Sequence, residues 1–532
     1  MTKNKKDELI RNTIGLMVIF FTMFTPFINF IAANINSLQV NYSGPLIFTT
    51  TTFFIISLFT LSLRKLFKYK FIVIAASTSL FYLLLMIYEP ILQIGLKFIS
   101  LKYITYSTLF FILVLSSISL ILFKSKLLIQ TYIIFICVLF FVAIIGLFYS
   151  YINQIDEKKI VRKIVNDNIT ITSNVIKKPE QLRNIYYIIT DGLGSQKGLI
   201  SGGISTKEIN EFKKTLEDNN FYIAEKSTSS YNSTYLSVQS IFEMDYPILP
   251  NSKKYNVENN FFPGSLSIDK PKTFLHSTLL NNGYDKLYWS GSRASLRCKD
   301  KASNLDCIKL KAKNFNEVVA SILQDNSTMI YLEQSIFPRI LQKISAGNYD
   351  SIDGALSHLS NDNIIKDNSF FFFIHEMMPH PPYVTRNCEP IFGTGNVYVG
   401  PNHRDYYNSS IACLNKKIQK FIKFIDEKDK EAIIVIQGDH GSKFKKIKTN
   451  KFIDLSKEYF NERFSNFNAF RLPKDCEQHL YDSIGTVNSI RLVVACASGV
   501  KPKFTEDKNY FSAYKIMMDS YGKVVDVTDI VK

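Results

Sequence analysis

Acidic side chains are almost missing from the first 150 of the 532 residues: Asp7, Glu8 and Glu89 stand against twelve Lys and Arg. These few charges fall in short clusters between uninterrupted Leu, Ile, Phe and Val runs, which excludes a water-soluble domain or a disordered chain there. No Cys-x-x-Cys pair occurs, which argues against a zinc cluster built on cysteine. No DNA- or RNA-binding motif accompanies the net charge of +17. More than half of that excess belongs to the apolar front. It is read as membrane topology and attraction to anionic lipid head groups, not as nucleic-acid binding.

Five stretches are long enough to cross a hydrocarbon core, which takes about 20 helical residues: Thr13–Ala33, Gly44–Leu63, Phe71–Ile91, Ile104–Phe123 and Leu127–Ile152. Four more spans follow the first with no small-residue cleavage site between them, so the first is expected to be retained as an anchor. Five crossings put the two flanks on opposite sides. Lys3, Lys5, Lys6, Arg11, Arg64, Lys65, Lys68, Lys70, Lys124 and Lys126 would share a side with the N-terminus, against Lys97 and Lys102 opposite. That bias predicts a cytoplasmic N-terminus and an extracytoplasmic, or periplasmic, chain beyond residue 152 of a bacterial inner membrane. Pro26, Asn29 and Glu89-Pro90 are the span features that hint at more than anchoring.

Cysteine usage is consistent with that compartment. Apart from Cys137 in a span, six remain: Cys298, Cys307, Cys388, Cys413, Cys476 and Cys496. Proximity in sequence favours Cys298–Cys307, Cys388–Cys413 and Cys476–Cys496 among the possible pairings.

The domain organisation expected is a transmembrane domain of five helices over 1–152, a polar linker over 153–180 and a catalytic domain over 181–532. In the last of these, short apolar strands alternate with longer amphipathic segments, the pattern of an α/β fold with a mostly parallel central sheet. The strands read are Asn184–Thr190, Lys286–Ser290, Ser369–His375, Ala432–Gln437 and Ile490–Ala495. The helices include Thr206–Asn219, Lys272–Asn282 and Tyr406–Glu427. In parallel sheets the chemistry sits beyond the carboxyl ends of the strands. Three of these runs end in metal-binding side chains: the first in Asp191, the third in His375 with His380 close behind, the fourth in Gly438-Asp439-His440-Gly441. Taken singly, an Asp-Gly turn, a Pro-flanked His or an Asp-His-Gly cap is unremarkable. Their joint position at strand ends is what points to a metal centre.

This order of motifs resembles the membrane-anchored sulfatase-like branch of the alkaline phosphatase superfamily, which includes phosphoethanolamine transferases, phosphoglycerol transferases and lipoteichoic acid synthases. The pieces that carry the resemblance are Asn184 to Gly192, Ser230-Tyr-Asn-Ser-Thr-Tyr-Leu-Ser237 with Met244-Asp-Tyr246, Pro379-His-Pro-Pro-Tyr383, Gly438-Asp-His-Gly441, and Glu462-Arg-Phe-Ser-Asn-Phe-Asn-Ala469 with Leu472-Pro473. The resemblance implies a hydroxyl nucleophile at Thr234, with Ser233 its nearest rival, and a divalent cation, Zn2+ or Mn2+, held by Asp191, Thr234, Asp439 and His440. A free threonine hydroxyl is too weak an acid to ionise at neutral pH, hence the need for a cation or a base. His375 and His380 resemble residues that contact the transferred phosphoryl group or a second metal; His403 and Arg293 are weaker candidates, better read as solvated surface residues. Two departures matter. No C/S-x-P-x-R pattern surrounds Thr234, Cys298 or Cys307, so formylglycine-dependent sulfate hydrolysis is not expected. The first ligand is Asp191 where the transferases usually carry Glu.

The activity implied is transfer of a phosphoryl-linked head group, phosphoethanolamine or phosphoglycerol, from a membrane phospholipid donor to an envelope glycan or lipid acceptor through a covalent threonine intermediate. The alternatives are a phosphodiesterase or phosphatase with water as acceptor, and a non-catalytic envelope protein.

Overall fold

A computed structural model describes residues 3–34, 42–67, 70–88, 91, 101–167, 182–246, 249–250, 273–291, 305–307, 331–332, 335, 337, 351–360, 364–365, 369–381, 383–389, 391, 402–445, 452–512 and 524–531. The chain divides into two compact units, one of Met1–Lys163 with Lys313–Ser345, the other of Ile164–Ala312 with Ala346–Lys532.

The first unit is helical: α1 (Lys3–Asn34), α2 (Ser43–Phe67), α3 (Phe71–Met86), α4 (Leu101–Leu122) and α5 (Lys126–Asp167). Three stretches, Lys5–Ala33, Ser43–Arg64 and Lys126–Ile152, are long and apolar enough to cross a membrane, whereas Phe71–Met86 and Thr108–Leu122 are shorter apolar helices. At 1.5 Å per residue α3 covers about 24 Å, somewhat less than a hydrocarbon core. Gly15 lets α1 and α3 approach closely, because a Cβ there would lie 2.8 Å from the Phe71 ring. Helix α5 runs on to Asp167, into the stretch read as polar linker.

The second unit is an α/β domain around a seven-stranded sheet in the order β2-β7-β6-β1-β5-β3-β4. Its strands are β1 (Ile185–Thr190), β2 (Tyr222–Ile223), β3 (Lys286–Gly291), β4 (Leu305–Cys307), β5 (Phe370–Glu376), β6 (Ile433–Gly438) and β7 (Asn468–Arg471). The run from β6 to β4 is parallel, and β2 and β7 add an antiparallel edge. Strands β1, β5 and β6 are buried throughout, which is why they read as continuous apolar runs. Alternate residues still face opposite ways. Tyr186, Ile188, Phe372 and Ile436 pack toward α6 (Lys207–Glu217), α9 (Ser351–Leu359) and α10 (His403–Lys428). Tyr187, Ile189, Phe373 and Val435 pack toward α7 (Thr234–Glu243), α8 (Phe274–Asn281) and α12 (Thr486–Ala497). A hairpin of β8 (Tyr510–Ser512) and β9 (Val524–Asp526) packs on α11 (Lys457–Phe464).

One predicted strand is wrong in type: Ile490–Ala495 lies inside α12. A run of six residues in which only Arg491 is polar is too short for its period to separate strand from helix. Disulfides join Cys388 to Cys413 and Cys476 to Cys496, as sequence proximity suggested. Cys298 and Arg293 lie outside the described residues.

Candidate metal centre

Register across the sheet assembles the site. Thr190 pairs with Gly438 on one side and Glu376 on the other, so Asp191 and Asp439 leave adjacent strand ends together while His375 stands one strand away. Ligand atoms of Asp191, Asp439 and His440 lie within 4.8 Å of one another, and all three residues are buried. His440 Nε2 is 4.0 Å from Asp191 Oδ1, 3.5 Å from Asp439 Oδ2 and 3.1 Å from Thr234 Oγ1. His375 Nε2 lies 3.9 Å from Asp191 Oδ2.

Each ligand is oriented by backbone. Asp191 donates its N–H to Glu376 at the end of β5 (2.9 Å), and its carbonyl accepts from His380 N at 3.1 Å. Asp439 Oδ1 accepts from Gly192 N (2.8 Å) and from His440 N (2.9 Å), which leaves Oδ2 on the His440 side. The His440 Nδ1–H donates to the Gly441 carbonyl at 2.8 Å, so the lone pair of Nε2 faces the carboxylates. Burial pushes the Asp439 carboxyl up to about 6, against the hydrogen bonds from Gly192, Thr234 and His440 that favour its anion. Burial, with the Arg463 guanidinium next in weight, holds the His440 imidazolium well below its usual range, so the ring is neutral and able to ligate.

Thr234 opens α7, behind Ser233 in extended conformation at the N-cap. The position carries free backbone N–H groups and a positive helix end, both suited to a phosphate. Thr234 is half-buried and reaches the cluster, whereas Ser233 is 4% exposed and no contact of its hydroxyl with the cluster is seen. His380 donates from Nδ1 to the Pro381 carbonyl at 2.6 Å and lies near enough to His440 for their charges to interact. His403, at the start of α10, meets the Tyr383 ring edge-on and lies beside Tyr406.

Two residues of the site escaped the sequence reading, although the Glu462-Arg463 motif had been singled out. Glu462, 1% exposed, accepts from Ser442 Oγ (2.8 Å), from Phe444 N and from Lys445 N (2.7 Å), pinning the loop after His440. Arg463, 3% exposed, donates to the carbonyls of Gly441 (3.1 Å) and Ser442 (3.4 Å) on that loop and to the carbonyl of Asn232, two residues before Thr234. It thereby ties the loop bearing a ligand to the loop bearing the hydroxyl. Only spacing from other motifs hinted at this, since Glu-Arg on a short helix ordinarily faces water. Gly441 is obligatory: a Cβ there would sit 1.9 Å from the Glu462 carbonyl oxygen.

Two buried carboxylates, a neutral imidazole and a hydroxyl converging from three segments fit a divalent cation of mixed N/O preference, of the kind Zn2+ and Mn2+ show. Burying two carboxylates this close without a cation would be strongly unfavourable.

No curated protein matches the chain in sequence. Among solved structures, the C-terminal periplasmic domain of EcEptC from Escherichia coli aligns with TM-score 0.37 and 11% identity, over 66% of this chain and 94% of that one. The integral membrane protein lipooligosaccharide phosphoethanolamine transferase A (EptA) from Neisseria meningitidis aligns with TM-score 0.38 and 14% identity, over 91% of this chain and 95% of that one. The Sulfatase family model matches residues 183–468, a stretch that includes every residue of the centre from Asp191 to Arg463, and the chain belongs to that family.

Proposed function

We propose that the protein is a membrane-anchored, metal-dependent transferase that moves a phosphoryl-linked head group, phosphoethanolamine or phosphoglycerol, from a phospholipid to an envelope glycan or lipid. The observation that carries this reading is the Thr234 hydroxyl at the N-terminus of α7, 3.1 Å from His440 Nε2 and beside the Asp191, Asp439 and His440 group. When bound, a divalent cation such as Zn2+ or Mn2+ supplies the charge that lowers the pKa of the threonine hydroxyl and offsets negative charge on the phosphoryl oxygens.

In the scheme, Thr234 Oγ1 attacks phosphorus and the bond from phosphorus to the diacylglycerol oxygen breaks, leaving a phosphothreonine diester. His375 or His380 gives a proton to the departing oxygen. The acceptor hydroxyl then attacks the same phosphorus and passes its proton to the imidazole deprotonated in the first step, the bond to Thr234 breaks, and the threonine takes from water a proton to replace the one it released there on attack. The N–H groups at the start of α7 face the phosphoryl oxygens throughout. A threonine at this position, without the C/S-x-P-x-R context, supports a phosphoryl rather than a sulfuryl substrate within the family.

The charge bias of the front supports five crossings with the N-terminus in the cytoplasm and residues beyond 152 outside an inner membrane, with 1–152, 153–180 and 181–532 as membrane domain, connector and catalytic domain. Anchorage would confine the search for a lipid to an interface and raise its effective concentration.

The test is turnover of head-group-labelled phospholipid by the full chain in lipid nanodiscs with Zn2+ or Mn2+, followed by mass spectrometry of the intact protein. A head-group phosphate adduct on Thr234 and label on the acceptor are expected. Thr234→Ala should abolish both while the divalent ion remains bound. Full activity of that variant refutes the covalent role, and label released only into water assigns hydrolysis instead.

A further inference from the structure

Residues 313–345 lie in sequence between two strands of the catalytic sheet, β4 and β5, yet they group with the helical unit. Among the described residues of the segment, Tyr331 and Leu332 are helical and buried. The Tyr331 ring meets Phe27 and Phe30 of α1 and Phe48 of α2 edge-on, with centroids 6.2, 5.4 and 6.3 Å away. Its hydroxyl is 2.9 Å from Thr49 Oγ1. Phe337 meets Phe48 at 5.0 Å, and Leu332 packs in one cluster with Tyr82 and Met86 of α3.

All these helix positions lie at one end of the unit. The other end carries the Glu8–Arg64 ion pair and the contact of Gly15 with Phe71. On the orientation proposed above, the basic end is cytoplasmic and the aromatic end is outer, the side on which the catalytic chain would emerge from α5. Aromatic side chains with polar tips favour that depth of a bilayer. A phenol buried among rings with its hydroxyl bonded to a helix threonine is a specific seat, because the same group without a partner would oppose burial.

We infer that the cradle of Phe27, Phe30, Phe48, Thr49 and Tyr82 is a second, non-covalent membrane attachment for the catalytic unit, occupied by Tyr331, Leu332 and Phe337 of its own chain. The covalent attachment is the peptide link after α5. Cutting that link should therefore leave residues 179–532 on the membrane.

The experiment needs no assumption about the chemistry. A specific protease site is inserted between Lys178 and Pro179 of the full chain, and isolated membranes are cut and sedimented at physiological salt. The fragment is expected in the pellet for the native cradle. With Tyr331→Ala and Leu332→Asp together, the supernatant share should rise at least tenfold. Release of the native fragment on cutting, or equal retention of the double variant, overturns the inference. Because the double variant could misfold, the uncut native chain is also tested with a photo-crosslinking residue in place of Tyr331. Crosslinks to peptides containing Phe27–Phe30 or Phe48–Thr49 support the seat, and crosslinks confined to lipid or to the catalytic unit refute it.

Discussion

Arg463 has the largest share of unanticipated work at the residue scale. Its guanidinium has donors in a fixed fork, and three carbonyls from two loops accept from it. Lysine keeps the charge but cannot reach all three. Arg463→Met should weaken Zn2+ binding about 10–100-fold, the range seen when groups orienting a ligand are removed. Arg463→Lys should lie between that variant and the native protein. Competition with a chelator measures both, and unchanged affinity in the methionine variant would leave Arg463 a packing residue only. The residues of the cluster were legible, because Asp191 and Asp439-His440 each follow an apolar run, as His375 closes another. Arg463 and Glu462 were not, because their burial depends on how α11 folds over the loop after His440, and a helix with mean polarity gives no sign of being covered.

At the scale of elements, the loop before Thr234 is held by a hairpin nearly 280 residues later. Asn232 Oδ1 accepts from Ser512 N at 2.8 Å and its Nδ2 donates to the Ser512 carbonyl at 3.2 Å. Tyr510 N donates to the Ser230 carbonyl at 2.8 Å, and Asn509 Nδ2 to that of Ser229 at the same distance. Asn232→Ala removes a buried two-way amide pair and should cost about 1–3 kcal/mol. Denaturant unfolding of the full chain should show that loss, and turnover should fall while the bound divalent metal is retained. No change in either would mean that the hairpin merely covers the loop. None of this pairing was visible in sequence: β8 and β9 are three residues each, too short for any alternation to register. The error at Ile490–Ala495 has the same origin. On the opposite face of the sheet, α10 and α6 were legible because each has a polar side that reveals the helical period.

At the scale of the whole molecule, the two disulfides among the described residues and the basic front each support the extracytoplasmic placement proposed above, one through redox chemistry and the other through insertion energetics. A labelling reagent that cannot cross the membrane should therefore reach a cysteine introduced at Lys430 in intact spheroplasts, and should miss one introduced at Lys126 until the membrane is opened. The reverse pattern would invert the topology and with it the envelope role. The polar tether expected after residue 152 is helical as far as Asp167, which suits a stalk more than a loose cord.

The pairing of Thr190 with Gly438 makes the sheet a ruler for the metal centre. The gap between the two carboxylates is set by the pitch of neighbouring strands, about 4.8 Å, and not by loops that could drift. Losing one residue from β1 or β6 would turn Asp191 or Asp439 to the opposite side of the sheet. Indels are thus barred from these strands, while loop lengths elsewhere remain at liberty to vary.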